Sequence, residues 1–146
     1  MKNLFNILMV DDDQDDHDIF RTSLRNVSVN GHKMSDMISM VSTYNGNEGM
    51  DYLMKTGEFR SSRHPLPDFI VLDLNMPILD GYTMLKQISL NPEMKQIPVY
   101  VFTTSKDEVD KKKCLQFSNC AGFFSKPGSR KDIIPIIEQM LNVYTD

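Results

Sequence analysis

What most constrains this chain is a rhythm. Short apolar runs recur, each closed by polar residues, with segments of helical length between them. Residues 69–72 (FIVL), 99–102 (VYVF), 121–124 (AGFF) and 4–10 (LFNILMV) read as strands buried on both faces. Residues 37–43 (MISMVST) make a fifth strand with weaker periodicity. The intervening segments carry apolar residues on one helical face. Residues 15–26 place Ile19, Phe20 and Leu24 there, with Val27 just beyond; residues 48–55 place Met50, Leu53 and Met54. Residues 82–90 contribute Met84, Leu85 and Ile88, and residues 106–117 contribute Val109, Leu115 and Phe117. The last segment, 133–144, contributes Ile133, Ile134, Ile137, Met140 and Leu141. Strand and helix alternating five times predict an α/β fold: a doubly wound, five-stranded parallel sheet with helices on both faces.

Helix-start chemistry agrees with this reading. Asp13 suits the N-cap of the first helix. Ser105 to Glu108 has the form of a capping box before the fourth. Pro135 is tolerated only in a first turn, which favours Asp132 over Ser129 as the cap of the fifth. Asp80-Gly81 reads as turn chemistry. Residues 26–36 and 57–68 are polar and rich in turn residues, and read as passive surface connectors. The second carries Arg60, Arg63 and His64, which leaves room for a partner contact.

At 146 residues the chain fits one domain, 1–146, with no output module expected. A net charge of −4 argues against binding nucleic acid through phosphate neutralisation. Cys114 and Cys120 have neither a disulfide framework nor zinc-ligand spacing and read as reduced thiols. No apolar run has the length of a membrane span, and the N-terminus lacks a cleavable signal. A cytoplasmic protein that does not engage membranes is expected. The 11 methionines fall mostly on apolar faces and read as core. His17, His32 and His64 are scattered and lie outside the expected site. Lys111, Lys112 and Lys113 read as a solvated helix face.

The polar ends of the strands carry the functional argument. The first strand ends in Asp11-Asp12-Asp13, and 69–72 ends in Asp73. The run 99–102 ends in Thr103-Thr104-Ser105, and 121–124 in Ser125-Lys126-Pro127. Open parallel sheets bind ligands beyond the carboxyl ends of their strands, so these groups gather at one edge. Asp11, Asp12 and Asp73 would repel one another unless a cation intervened. Mg²⁺ suits such a site, being a hard ion held by carboxylates, phosphate oxygens and water. Lys126 adds a positive charge and Thr103 a hydroxyl donor, a combination fitted to a phosphoryl group. An aspartate can itself attack phosphorus to give an acyl phosphate. A P-loop enzyme is excluded, because no Gly-rich phosphate loop follows the first strand.

These residues make the chain recognisable. ILMVDDD, LDLNMPILDG, PVYVFTTS and GFFSKP, in that order, resemble the receiver domain of two-component response regulators across nearly the whole chain. Residues 50–77 and 91–108 resemble, more narrowly, single-domain regulators that serve phytochrome-type sensor histidine kinases. The resemblance implies strand order 2-1-3-4-5 and phosphorylation of Asp73. It implies Mg²⁺ held by Asp12, Asp73 and the backbone carbonyl of Asn75, with Asp11 acting through water or shaping the pocket. Lys126 would pair with the phosphoryl group, and Thr103 would hydrogen-bond it in the active state, with Thr104 also in contact. Phe123 stands where the family keeps a rotating aromatic, often tyrosine, so a hydroxyl-mediated signal from that position is missing. Asn75 and Ser105 fall where the family tunes autodephosphorylation. Expected partners are a sensor histidine kinase and a downstream protein or phosphotransfer partner. The apolar last helix, through Tyr144, permits a homodimer. No turnover of an external substrate is expected. A Mg²⁺-dependent aspartyl-phosphate enzyme would place its nucleophile in Asp-x-Asp after the first strand, and here Asp73-Leu74-Asn75 follows the third. The alternative is a receiver-like binding module that is never phosphorylated.

Overall fold

The computed structural model describes residues 5–29 and 31–142. Five parallel strands form the sheet: β1 (Phe5–Val10), β4 (Ile38–Thr43), β5 (Phe69–Leu72), β6 (Val99–Thr103) and β7 (Cys120–Ser125), in the order β4-β1-β5-β6-β7. Counted within this sheet the order is the expected 2-1-3-4-5. A two-stranded hairpin, β2 (Ser28–Val29) and β3 (His32–Lys33), lies between α1 (Gln14–Leu24) and β4. The other helices are α2 (Gly46–Met54), α3 (Gly81–Leu90), α4 (Glu108–Leu115) and α5 (Ile133–Leu141).

Period-two alternation along the strands divides the core into two layers. Phe5, Ile7, Met9, Phe69, Val71, Tyr100 and Phe102 point to the layer built with α1 and α5. Leu8, Val10, Ile70, Leu72, Val99 and Val101 point to the layer built with α2, α3 and Cys114 of α4. Because both faces are covered, β1, β5 and β6 read as continuous apolar runs. The edge strand β4 is only half-buried over most of its length, which explains its weaker pattern.

Some local expectations hold and others shift. Asp13 caps α1, accepting from the Asp15 amide at 2.9 Å, and Asp80 caps α3, accepting from the Thr83 amide at 2.8 Å. The capping box at 105–108 does not form. Asp107 caps α4 through the Val109 amide, while Ser105 donates its hydroxyl to Asp110. Asp132 stands at the start of α5 after a 3-10 turn, Arg130–Asp132, and makes no side-chain cap bond. Leu4 and Tyr144, placed by sequence in the first strand and last helix, lie outside the described residues.

Neither connector is passive. In the first, Val27, Val29 and Met34 are buried in the α1–α5 layer, and the hairpin turn runs through Gly31 at φ +79°, a conformation open to glycine. In the second, the His64 ring stacks on Tyr52 at 3.8 Å between centroids and bonds the Tyr52 carbonyl oxygen at 2.7 Å. The loop is thereby tied to α2. Arg60 and Arg63 remain exposed. Both cysteines are free thiols. No helix among the described residues is long and apolar enough to cross a membrane.

Candidate functional site

The sheet delivers its strand ends to one place, and main-chain bonds continue the ladder into it. The Asp11 amide donates to Thr43 at 3.1 Å, the Asp73 amide to Val10 at 3.0 Å, and the Lys126 amide to Thr103 at 2.7 Å. The backbone of the three charged residues is thus held by neighbouring strands, on rigid elements rather than free loops. Asp11, Asp73 and Thr103 are buried at 1%, 5% and 0% exposure. Asp12, Asn75 and Thr104 are exposed.

Asp11, Asp12 and Asp73 each offer a carboxylate oxygen, and these atoms lie within 4.8 Å of one another. Opposite them stands Lys126, whose Nζ is 2.7 Å from Asp11 Oδ2 and 3.6 Å from Asp73 Oδ2. The Asn75 amide points at Asp73 Oδ1 from 3.4 Å. Burial pushes the Asp11 carboxyl up to about 6, against the opposing pull of the Lys126 and Asp13 bonds, and the charge on Asp73 adds to the rise. Burial also raises Asp73, with Lys126 and a Thr103 hydrogen bond working the other way. Burial alone would lower Lys126, but its bonds to the surrounding carboxylates outweigh that and raise it. The site therefore carries more negative charge than its one cation balances. Three hard oxygen donors at this spacing, ionised at a cost, fit a divalent cation.

Phe123 is half-buried against the α2–α4 layer and borders a groove with Lys106, Glu108 and Lys111. Among the described residues, no hydrogen bond ties the Thr104 side chain to the carboxylates. Ser105 lies across from β7, where the Ser125 hydroxyl donates to its carbonyl oxygen at 3.3 Å.

Two residues at the site escaped the sequence reading. Asp16 Oδ2 lies 2.7 Å from Lys126 Nζ, as close as Asp11. Its position in the first turn of α1, just past the β1 acids, is the signal that could have found it. His17 was expected outside the site, yet its Nε2 donates to the Asp11 carbonyl oxygen at 2.8 Å. It is fully buried, on the same helical face as Phe20 and Leu24, so its spacing marked it as an inward-facing residue. Tyr44 covers its ring at 4.7 Å between centroids.

Comparison with known proteins points one way. The family model described as "Response regulator receiver domain" matches residues 7–138. Response regulator Rcp1 of Synechocystis is 32% identical over 133 residues, 90% of this chain and 83% of that protein. The structure of phosphorylated RcpA, a cyanobacterial phytochrome response regulator, superposes with a TM-score of 0.82 at 27% identity, covering 97% of this chain and 94% of that one. The Mn²⁺-bound form of Rcp1 superposes with a TM-score of 0.81, also at 27% identity, over 97% and 95% of the two chains.

Proposed function

The chain belongs to the response regulator receiver domain family, and from that premise we propose that it is a phospho-acceptor in which a sensor histidine kinase transfers a phosphoryl group to Asp73. One observation carries the reading: a buried Asp73 whose carboxylate lies beside those of Asp11 and Asp12 and 3.6 Å from the Lys126 ammonium. The phosphorylated state of RcpA and the bound Mn²⁺ of Rcp1 support it by likeness.

An oxygen of Asp73 attacks phosphorus in line. The phosphorus–nitrogen bond of the donor phosphohistidine breaks, and its electron pair leaves with the imidazole. Asp12, Asp73 and the Asn75 carbonyl would hold Mg²⁺, with Asp11 shaping the pocket, and the ion would neutralise charge on the phosphoryl oxygens. Lys126 donates to one of those oxygens. Thr103 donates to another, and its inward movement vacates space into which Phe123 repacks. The groove that Phe123 borders with α4 changes shape, and a downstream protein, a phosphotransfer partner or a second copy reads the change. Hydrolysis of the acyl phosphate returns the resting state.

The test is phosphorylation by acetyl phosphate with Mg²⁺, followed by intact mass, on the wild type and Asp73→Asn. A phosphate-sized gain that requires Mg²⁺ and is lost in the variant is expected. If neither acetyl phosphate nor any candidate kinase labels the wild type, the unphosphorylated binding module replaces this reading.

A further inference from the structure

Lys126 is shared. Its ammonium has three protons, and two carboxylates, Asp11 and Asp16, each hold it at 2.7 Å, while Asp73 stands off at 3.6 Å. Asp11 is placed there by the end of β1 and is almost fully buried. Asp16 comes from α1 instead, and its side chain keeps 25% of its surface exposed. Its bond to Lys126 is therefore the easier one to give up, because water can replace it. The local charge makes that matter: Asp11, Asp16 and Asp73 share one lysine, and Asp12 lies beside Asp11 and Asp73.

We propose that Asp16 is a positioning residue that restrains Lys126 in the resting protein, and that its carboxylate opposes the arrival of phosphoryl charge on Asp73. This rests on the reading of Asp73 as phospho-acceptor. With Asp16 present, the ammonium is drawn towards α1 and its charge is already more than balanced. A phosphoryl oxygen on Asp73 must draw on the same ammonium in the field of an additional anion. Asp16 so sets the balance between the resting and phosphorylated states, through Lys126 and without touching the phosphoryl group. The chain gains a regulated threshold from a residue that lies outside the strand-end motifs.

The experiment is a titration with beryllofluoride, a tetrahedral phosphoryl analogue that bonds to an aspartate carboxylate, at saturating Mg²⁺. Wild type, Asp16→Asn, Asp16→Ser and Asp16→Glu are compared by NMR. Loss of the charge is expected to tighten beryllofluoride binding about fivefold, the scale of a partly exposed ion pair, and Asp16→Glu to return it towards wild type. In the metal-free protein, the Lys126 ammonium protons are expected to exchange faster in Asp16→Asn and Asp16→Ser. Damage to the fold would weaken binding, so a gain separates the two effects, and thermal melts identify a variant that fails to fold. Unchanged or weaker binding in a folded charge-removing variant, or unchanged ammonium exchange, overturns the proposal while the phospho-acceptor reading stands. A wild type that binds no beryllofluoride overturns both.

Discussion

A β-carbon on residue 81 would sit 1.9 Å from the carbonyl oxygen of Asp73. Gly81 opens α3, and its amide donates back to the Leu74 carbonyl at 3.0 Å, so the helix start lies directly on the turn that presents the acceptor carboxylate. The obstacle is backbone, which cannot swing aside as a flexible side chain would.

Gly81→Ala must therefore move either α3 or the 73–75 turn. It is expected to cost about 1–3 kcal/mol, the usual range for overpacking. Urea denaturation reads this as a lower midpoint. Because the displaced turn carries Asp73, labelling by acetyl phosphate should fall as well. A variant with wild-type stability would show that the turn yields freely.

A second support for the site lies under Asp11. A carbonyl oxygen only accepts, so the 2.8 Å contact requires the proton of His17 on Nε2, and Nδ1 has no partner among the described residues. Burial lowers the pKa of the ring, which favours its neutral form. His17→Phe keeps the bulk and removes the donor, leaving the Asp11 carbonyl buried without it. The expected loss is about 1–3 kcal/mol. His17→Gln, which restores an N–H, should recover part of it. Equal losses in both would assign the role of His17 to packing alone.

The fold was legible because its information is local. Runs such as 69–72 are short, apolar and bounded by polar residues, and both core layers follow from their alternation. The strand-end groups were legible for the same reason: a parallel sheet collects them whatever the loops do. What stayed hidden depends on tertiary contact. Asp16 looks like one acid among several in an exposed first turn until β7 brings Lys126 to it. His17 looks like a stray polar residue until β1 ends beneath it. The 26–36 connector reads as loop because its buried residues, Val27, Val29 and Met34, are separated by polar ones and find their core only against α1 and α5. Ser105 could cap α4 on sequence grounds, but Asp107, two residues on, takes the role.

The raised carboxyl of Asp11 makes stability depend on pH. In the folded, metal-free protein Asp11 titrates near 6, against 3.8 for an unperturbed carboxyl. Between these values the folded state holds more protons than the unfolded one, so the Asp11 contribution falls as pH rises. It is fully present below about 4 and lost above about 6, a change of about 3 kcal/mol at most. Asp11→Asn has no such titration. In EDTA, the stability of Asp11→Asn relative to wild type should rise from pH 4 to 6 and level off above. Added Mg²⁺ should reduce that gap at neutral pH by favouring the ionised carboxylate. A relative stability that is flat across the window would mean that Asp11 titrates as it does in the unfolded chain.

The loop after the acceptor holds the clearest backbone cost. Ile78 has a φ of 72°, in the left-handed region that a β-branched side chain rarely enters, and it is 77% exposed. Its side chain gains little from burial to offset that conformation. Pro77 before it and the Leu79 amide, which donates to the Pro77 carbonyl at 2.8 Å, hold the chain there. Left-handed backbone costs an ordinary residue about 1–2 kcal/mol relative to its preferred regions. Glycine carries no such cost, although it makes the unfolded chain more flexible. Ile78→Gly is expected to stabilise the protein by about 1 kcal/mol, read as a higher urea midpoint with an unchanged slope. Because the loop keeps its path, phosphorylation of Asp73 by acetyl phosphate should continue at a similar rate. A destabilised variant would show that the exposed isoleucine makes contacts whose value exceeds the backbone cost.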